Sequence, residues 1–251
     1  MTSKGAGLWQ SLWKATGAPL PGASPPAYTV GSGYVPTKAT AGAFSFGNPT
    51  SPALSYLAQM RASSTVIGSL WLVDRLWACS GFSGTVLGPT SVTTPGNLPS
   101  GRDPNTGLDV EPWFEIYGSP GTTTSTFTLT GTDGLGATTK TWTYVHPASA
   151  EAVGQMCPAF PGGGSPATCL GMRQLTSLTL SASTLTAGDI GVTLLRRLIE
   201  IPMNPIYITS VLDAIGCGLP RIYDDACLQL MLMCSAATTG AIIGGIVIGQ
   251  K

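Results

Sequence analysis

Hydrophobic and polar residues alternate with a period of two along several parts of the chain, which is typical of strands with one buried face. The clearest case is Thr126-Phe-Thr-Leu-Thr130, after which Asp133-Gly134 provides a hairpin-type turn. Segments of strand length and composition lie at 65–77, 110–117, 124–130, 140–145, 174–181, 190–201, 228–234 and 241–248. The pattern predicts an all-β fold, a β-sandwich or jelly-roll-like domain of about eight strands.

A few short stretches favour helix instead. Ser51 can cap a helix, Pro52 suits its first position, and the following leucines and methionine have helical spacing. A helix is therefore predicted over 51–61. A second short helix is predicted over 206–215, ended by glycines at 216 and 218. One helical turn is predicted over 8–14.

The stretch 226–250 carries no charge and is long enough to cross a bilayer. Its middle is polar and turn-like, however, and each flank has strand length. We therefore expect two buried strands joined at Thr238-Thr239-Gly240, and no membrane partner. The N-terminus has no continuous apolar segment and no evident cleavage site, so synthesis in a cytoplasm is expected.

Residues 1–50 differ from the rest, because proline recurs every few residues and opposes helix and central strand. The segment is predicted to be an extended arm in front of a β-sandwich domain over 51–251. Its aromatic content is too high for a flexible linker. The arm either docks on a partner, in which case removing residues 1–45 leaves a folded domain, or it packs on its own domain. The candidate anchors are Leu8, Trp9, Trp13, Tyr28, Tyr34, Phe44 and Phe46.

The charge balance limits the classes of partner. The chain has 12 basic and 12 acidic residues, a net charge of zero, and only 10% charged residues. Because nucleic-acid binding needs a cationic surface, no nucleic-acid partner is expected. So little charge in a chain that is 43% hydrophobic indicates that neighbouring subunits, other proteins or a membrane cover much of the surface.

Candidates for catalysis are weak. His146, the one histidine, stands at a predicted strand end before a proline and is expected at the surface. Asp109 and Glu111 face the same side of a strand, as a glycosidase pair could, but no aromatic sugar cleft accompanies them. The oxygen donors over 103–111 depart from the spacing of an EF-hand. We predict that the chain is not an enzyme and has no catalytic residue, cofactor or metal.

Six cysteines, none in a CxxC pair, argue against a zinc ribbon or a thioredoxin motif. The favoured interpretation is that they are buried free thiols packing as small hydrophobic groups. The alternative is one or two disulfides formed in an oxidising medium. The first candidate pair is Cys157 with Cys169 and the second is Cys217 with Cys227, since each pair flanks a short loop.

Three segments resemble virion structural proteins of tailed bacteriophages, and capsid decoration (cement) proteins in particular. They are ATAGAFSFGNPTSPALSYLAQMRA at 39–62, GSLWLVDRLWACSG at 68–81 and GLPRIYDDACLQLML at 218–232, about a fifth of the chain. Leu72-Val-Asp-Arg-Leu-Trp77 and Leu219-Pro-Arg-Ile-Tyr223 carry most of the likeness.

The resemblance implies a non-enzymatic, β-rich homotrimer on the outer capsid surface of the virion, made in the bacterial host cytoplasm. Its implied partner is the major capsid protein, whose neighbouring subunits it would bridge against the pressure of packaged DNA. Three alternatives remain open. They are a head-fibre, tail or baseplate component, a membrane protein using 226–250, and an envelope-degrading glycosidase.

Overall fold

The computed structural model describes residues 6–23, 32–92, 98–99, 101–103, 105–149, 151–162, 170–204, 208–236 and 240–251. These residues form sixteen strands and one four-residue helix, so the predicted all-β fold class is confirmed. The strands are β1 (Trp9–Ser11), β2 (Gly33–Tyr34), β3 (Ser55–Ser64), β4 (Gly68–Phe82), β5 (Thr90–Ser91), β6 (Val110–Gly118), β7 (Ser125–Thr132), β8 (Lys140–His146), β9 (Gln155–Pro158), β10 (Phe160–Pro161), β11 (Gln174–Leu180), β12 (Asp189–Met203), β13 (Ser210–Leu212), β14 (Arg221–Ile222), β15 (Leu228–Cys234) and β16 (Ile242–Gln250). The helix is α1 (Ala214–Cys217).

Apart from β3, the longer strands lie where the sequence predicts strands. β7 buries every second residue, as the period of two requires. The predicted hairpin forms between β7 and β8, with Leu129 opposite Trp142. The tryptophans on these strands, Trp71, Trp77, Trp113 and Trp142, are all buried.

The chain divides into two compact units. The first comprises 1–22, 37–74 and 197–251, and the second comprises 23–36 and 75–196. The predicted boundary at residue 50 therefore does not separate an arm from a domain. The N-terminal segment is shared between the units because several of its parts pair or pack with later strands.

In the first unit, β3 is the central strand of a four-stranded sheet. β16 pairs antiparallel along one side of β3, and β13 and β14 pair along the other. β1 pairs with β15, which pairs in turn with the first part of β4. Buried side chains from β3, β4 and β15, including Leu57, Met60, Leu70, Leu72 and Leu232, form the core of this unit.

In the second unit, β6 pairs with β12 and β9. A five-stranded sheet has the order β10-β8-β7-β11-β5. The core contains Phe114 of β6, Phe127 of β7 and Trp142 of β8. The rings of Phe114 and Phe127 meet edge to face with centroids 5.6 Å apart.

The predicted helix over 51–61 is wrong, because residues 55–64 form β3. A β-bulge at Ala58 places two inward-facing residues, Leu57 and Met60, three positions apart. This spacing imitates one turn of a helix. The strand pairs on both sides, which satisfies its backbone more fully than a solvent-exposed helix end would.

The second predicted helix is mostly wrong as well. Residues 210–212 form β13, and α1 covers only Ala214–Cys217. Asp213 caps α1, and Gly218 ends it in the left-handed conformation with φ 67°, as the glycine predicted. The predicted helical turn over 8–14 contains β1 instead, since it pairs with β15.

The two apolar strands near the C-terminus are confirmed, but they are not a buried pair. β15 is mostly buried between β1 and β4. β16 pairs with β3 and is largely exposed. Of their predicted turn, Thr238 and Thr239 lie outside the described residues. Within the described ranges, no helix is long and apolar enough to span a bilayer.

Candidate interaction surface

The four-stranded sheet of the first unit has one side against the core and the other in solvent. We call the solvent side the outer sheet face. The register places Arg61 between Val211 of β13 and Gly245 of β16. The face comprises Tyr56, Gln59, Arg61, Ser63, Val211, Arg221, Ile243, Gly245, Val247 and Gly249.

The outer sheet face is apolar and cationic. Ile243, Val211 and Val247 are 77%, 53% and 50% exposed. Arg61 and Arg221 are exposed beside them, and the Arg221 guanidinium stacks 4.4 Å from the centroid of the Tyr223 ring. None of the residues of the face is acidic. Apolar side chains grouped with arginine and tyrosine are typical of protein-binding surfaces.

Glycine in β16 determines how closely this strand lies against β3. A Cβ atom at Gly244 would lie 2.2 Å from the backbone oxygen of Arg61, so a larger residue would force the strands apart. Gly245, on the outer side, has more room, since a Cβ atom there would lie 3.8 Å from Arg61 Nε. β16 is therefore a close-fitting, smooth margin of the sheet.

A cavity of about 360 Å³ lies within the first unit. Its lining includes the apolar side chains of Leu12, Phe44, Met60, Leu70, Leu230 and Ile246. Binding pockets combine such a lining with a few converging polar groups that orient the ligand. The one charged residue of this lining, Arg61, lies at an outward position of β3. We therefore assign no ligand to the cavity.

A buried ionic cluster occupies the second unit. Arg75 Nη2 lies 2.7 Å from Glu115 Oε2 and donates a hydrogen bond of 2.5 Å to Tyr117 Oη. The same carboxylate oxygen accepts hydrogen bonds of 2.6 Å from Tyr117 and 2.8 Å from Thr193. Burial acts to raise the pKa of Glu115, but Arg75 and the donated hydrogen bonds outweigh it and lower that pKa. The pKa of Tyr117 is raised, mainly by burial. This closed network stabilises one arrangement of β4, β6 and β12.

The expectation of a surface position for His146 is wrong. Its ring is fully buried and stacks on the Phe127 ring, with the two centroids 5.3 Å apart. Nε2 donates a hydrogen bond of 2.9 Å to the Gly121 carbonyl oxygen. Nδ1 lies 3.0 Å from Glu151 Oε2. The sequence could not show this, because Glu151 belongs to the loop after β8 and provides a polar partner in the interior.

Glu151 also binds two further groups of the second unit. It accepts hydrogen bonds from the Tyr144 hydroxyl and from the Cys157 thiol, the latter at 3.6 Å. Burial raises the pKa of both Tyr144 and Cys157, and the Glu151 charge raises them further. A buried thiol with a raised pKa stays protonated at neutral pH and is a poor nucleophile. We therefore interpret the group formed by Glu151, His146, Tyr144 and Cys157 as one that stabilises the fold.

The predicted anchors of the arm mostly pack on this chain. The Trp13 ring, 1% exposed, contacts Ala43 and Cys227. Cβ atoms at Gly22 and Gly42 would lie only 2.4 and 2.8 Å from this ring, so both glycines form its slot.

The other described anchors also lie against strands or core. Trp9 is half-buried with its ring centroid 3.9 Å from that of Trp71, and Phe44 and Phe46 pack on the core of the first unit. Tyr34 belongs to β2, opposite Ala78. Leu8 is exposed, and Tyr28 lies outside the described residues. The alternative of an arm packed on its own chain therefore describes these residues.

The five cysteines that the structure describes also follow the first of the two interpretations. Cys79, Cys157, Cys217, Cys227 and Cys234 are buried free thiols. The possible bridge from Cys217 to Cys227 is thus not formed, because each thiol packs separately in the first unit. Cys169, the suggested partner of Cys157, lies outside the described residues.

The acidic candidates of the second unit serve local structure. Asp103 accepts a hydrogen bond from the Gly107 amide at 2.9 Å, and burial raises the pKa of its carboxyl. Asn105 donates to Asp109, and Glu111 accepts from the Trp113 indole at 3.2 Å. No group of three metal-binding side chains occurs among the residues that the structure describes.

Sequence reasoning missed both the outer sheet face and the Arg75–Glu115 pair. Alternation of Ile243, Gly245 and Val247 was the available signal for the face, but it reads equally as a buried strand. None of the protein-family models, curated proteins or solved structures compared with the chain matches it.

Proposed function

We propose that the chain is a non-enzymatic structural protein of a bacteriophage virion, a capsid decoration protein that binds the outer capsid surface. Its partner is the major capsid protein, whose neighbouring subunits it bridges to stabilise the head. The observation that carries this proposal is the outer sheet face, which presents exposed Ile243, Val247 and Val211 with two arginines.

The chemistry of this face suits binding to a protein. Apolar side chains supply area that association removes from water, at roughly 25 cal/mol per Å². Arg61 and Arg221 add donors for carboxylates or carbonyls of a partner. A face with cations and no acid favours a partner surface of opposite charge. A rigid sheet also loses little entropy on binding, because strand pairing already holds these residues.

The whole-chain charge and the resemblance support the same proposal. A net charge of zero and a low charge density suit a protein that is covered by others in an assembly. The segments 39–62 and 218–232, which resemble decoration proteins, contribute most of β3 and all of β14 to the sheet that carries this face. On the capsid the chain is then expected as the homotrimer that the resemblance implies.

Purified chain should bind capsids assembled without it and raise the temperature at which they release DNA. Val211→Asp and Arg61→Glu should each weaken this binding about tenfold or more, because each change removes a favourable side chain from the outer sheet face. Cosedimentation gives the affinity, and dye access to DNA gives the release temperature.

Val145→Asp is the matched control, since Val145 is a valine of comparable exposure on a strand of the second unit. It should bind capsids like the unmodified chain. Absence of binding, or the same release temperature with and without the chain, would contradict the proposed function. Equal weakening by Val145→Asp would show that the outer sheet face is not the surface used.

A further inference from the structure

Among the residues that the structure describes, β16 has a strand along one of its two margins only, and the other margin is open. It pairs with β3 along nine residues, and none of the other described strands pairs with it. A strand at the margin of a sheet presents backbone N–H and C=O groups to any further strand. The open margin of β16 is therefore a template for one more strand.

The backbone pattern identifies which residues face this margin. Lys251 and Leu54 exchange both backbone hydrogen bonds, at 3.0 and 2.7 Å, and the Thr65 amide donates to the Ala241 carbonyl at 3.1 Å. Odd-numbered residues of β16 thus direct their backbone groups to β3. In an antiparallel ladder the groups alternate. The even-numbered residues Ile242, Gly244, Ile246, Ile248 and Gln250 therefore direct theirs to the open margin.

Nothing within β16 blocks such pairing. Proteins usually protect sheet margins with lysine, proline, inward charges or a bulge on the margin strand. β16 has no charged residue and no proline. The one irregularity of the β3–β16 ladder is the extra residue Ala58, which belongs to β3, so β16 itself is regular.

We propose that β16 pairs antiparallel with β16 of a second copy of this chain, around a two-fold axis at Gly245. Ile243 of each copy then lies opposite Val247 of the other, and Ile242 opposite Ile248. Gly244 lies opposite Ile246. Every even-numbered residue from 242 to 248 thus lies opposite an even-numbered residue. The N–H and C=O groups that face the open margin on one strand therefore meet those of the other strand and can hydrogen-bond with them.

The side chains match in this register as well. The inward residues Ile242 and Ile248, which pack on the core, meet each other across the axis. The outward residues Ile243 and Val247, exposed in the single chain, become cross-strand neighbours. The Gly245 residues meet at the axis without side chains to separate the strands.

A second copy suits this margin better than a charged partner strand. A two-fold contact brings together two copies of the same strand, which repel each other where that strand carries charge of one sign and do not where it is neutral. β16 is neutral throughout. The two four-stranded sheets would become continuous, and their outer sheet faces would form one surface.

The pairing of β16 is a property of the isolated protein and does not depend on the proposed function. Only the binding of the two joined outer sheet faces to a capsid rests on the proposed function. A two-fold pair also differs from the trimer that the resemblance implies. The experiments on the two proposals therefore give separate results.

The test is the native mass of the purified chain by light scattering over a dilution series. The expected mass is twice 25.7 kDa, falling towards 25.7 kDa on dilution. Hydrogen exchange at both ends of the series provides a second measurement without substitution. The amides of Gly244 and Ile246 should be protected in the pair and should exchange at least about tenfold faster in the diluted chain.

Charge variants test the register. Ile243→Lys with Val247→Lys places like charges opposite each other and should give single chains, as should Ile243→Glu with Val247→Glu. A mixture of these two variants should recover the paired mass, because each lysine then faces a glutamate. Val145→Lys, at an exposed valine of β8, should leave the pair unchanged.

Several outcomes would overturn the pairing. A mass of 25.7 kDa at every concentration would exclude self-association. A mass three times this value would favour the implied trimer over the two-fold pair. Charge variants that stay paired, or a mixture that does not recover the paired mass, would show that β16 does not form the contact.

The two proposals can be told apart. Loss of capsid binding by Val211→Asp with the native mass unchanged would support the proposed function separately.

Discussion

Replacing Glu115 with glutamine is expected to lower the free energy of unfolding by about 3–5 kcal/mol. The change leaves the Arg75 guanidinium, which is fully buried, without its carboxylate partner at 2.7 Å. It also removes the charged acceptor that Tyr117 and Thr193 share. An unpaired charge in the interior costs far more free energy than an unpaired charge at the surface, because water solvates the surface charge. Urea or thermal unfolding measures the loss.

Two further variants show whether the loss comes from the buried charge. Arg75→Met combined with Glu115→Gln should cost less than the sum of the single changes, because neither charge is then left alone. Glu200→Gln removes an exposed carboxylate and should change stability by no more than about 0.5 kcal/mol. Additive losses from the two single changes would contradict the coupling of Arg75 and Glu115.

The same carboxylate makes stability depend on pH. The pKa of Glu115 is lower in the folded chain than its ordinary value of 4.5. Its contribution is therefore fully present above about pH 4.5 and is lost as the pH falls through the lowered folded-state pKa. The stability difference between the unmodified chain and Glu115→Gln should shrink over this acid range. A difference that stays constant with pH would exclude the charge as its cause.

Trp13→Ala is expected to lower the free energy of unfolding by about 3–5 kcal/mol. The indole ring is 1% exposed, and two glycines, Gly22 and Gly42, leave a slot that only the ring fills. Its removal leaves a cavity next to Ala43 and Cys227. Chemical denaturation followed by circular dichroism measures the effect.

Trp9→Ala is the matched control for this prediction. Trp9 is only half-buried against Trp71, so its removal should cost about 1 kcal/mol. Removing residues 1–45 should unfold the first unit, because this truncation deletes the strand β1 and the buried Trp13 together. A truncated chain with unchanged stability would restore the alternative of an arm that docks only on a partner.

Periodicity predicted those elements in which one side chain in two is buried without interruption. β7 follows this rule, and β8 pairs with it through buried Trp142 and His146, so the alternation located the hairpin. β3 does not, because the bulge at Ala58 changes the spacing of its buried residues from two to three. A local pattern cannot distinguish that spacing from a helical turn, since only pairing with β16, β13 and β14 settles it.

The interaction surface was less predictable than the strands. β15 and β16 have nearly the same apolar character, yet β15 lies between two strands and β16 has only β3 beside it among the described residues. Ile243 and Val247 are exposed because of the position of β16 in its sheet, and their residue types alone do not indicate this exposure. Burial of His146 likewise depends on Glu151, whose position is set by tertiary structure.

The proposed assembly role would give these features a common physical reason. A regular, uncharged sheet margin and an apolar outer sheet face favour association with other protein surfaces. The proposed incorporation into a particle would cover that surface. The buried networks around Arg75 and His146 would meanwhile keep the second unit rigid under mechanical load.

Electron cryo-microscopy of intact particles is the measurement that decides the location most directly. The proposed function predicts density for this chain on the outer capsid surface, with the outer sheet face against the major capsid protein. Particles assembled without the chain should lack that density. Density confined to the tail, the baseplate or a single vertex, or particles that never contain the chain, would contradict it.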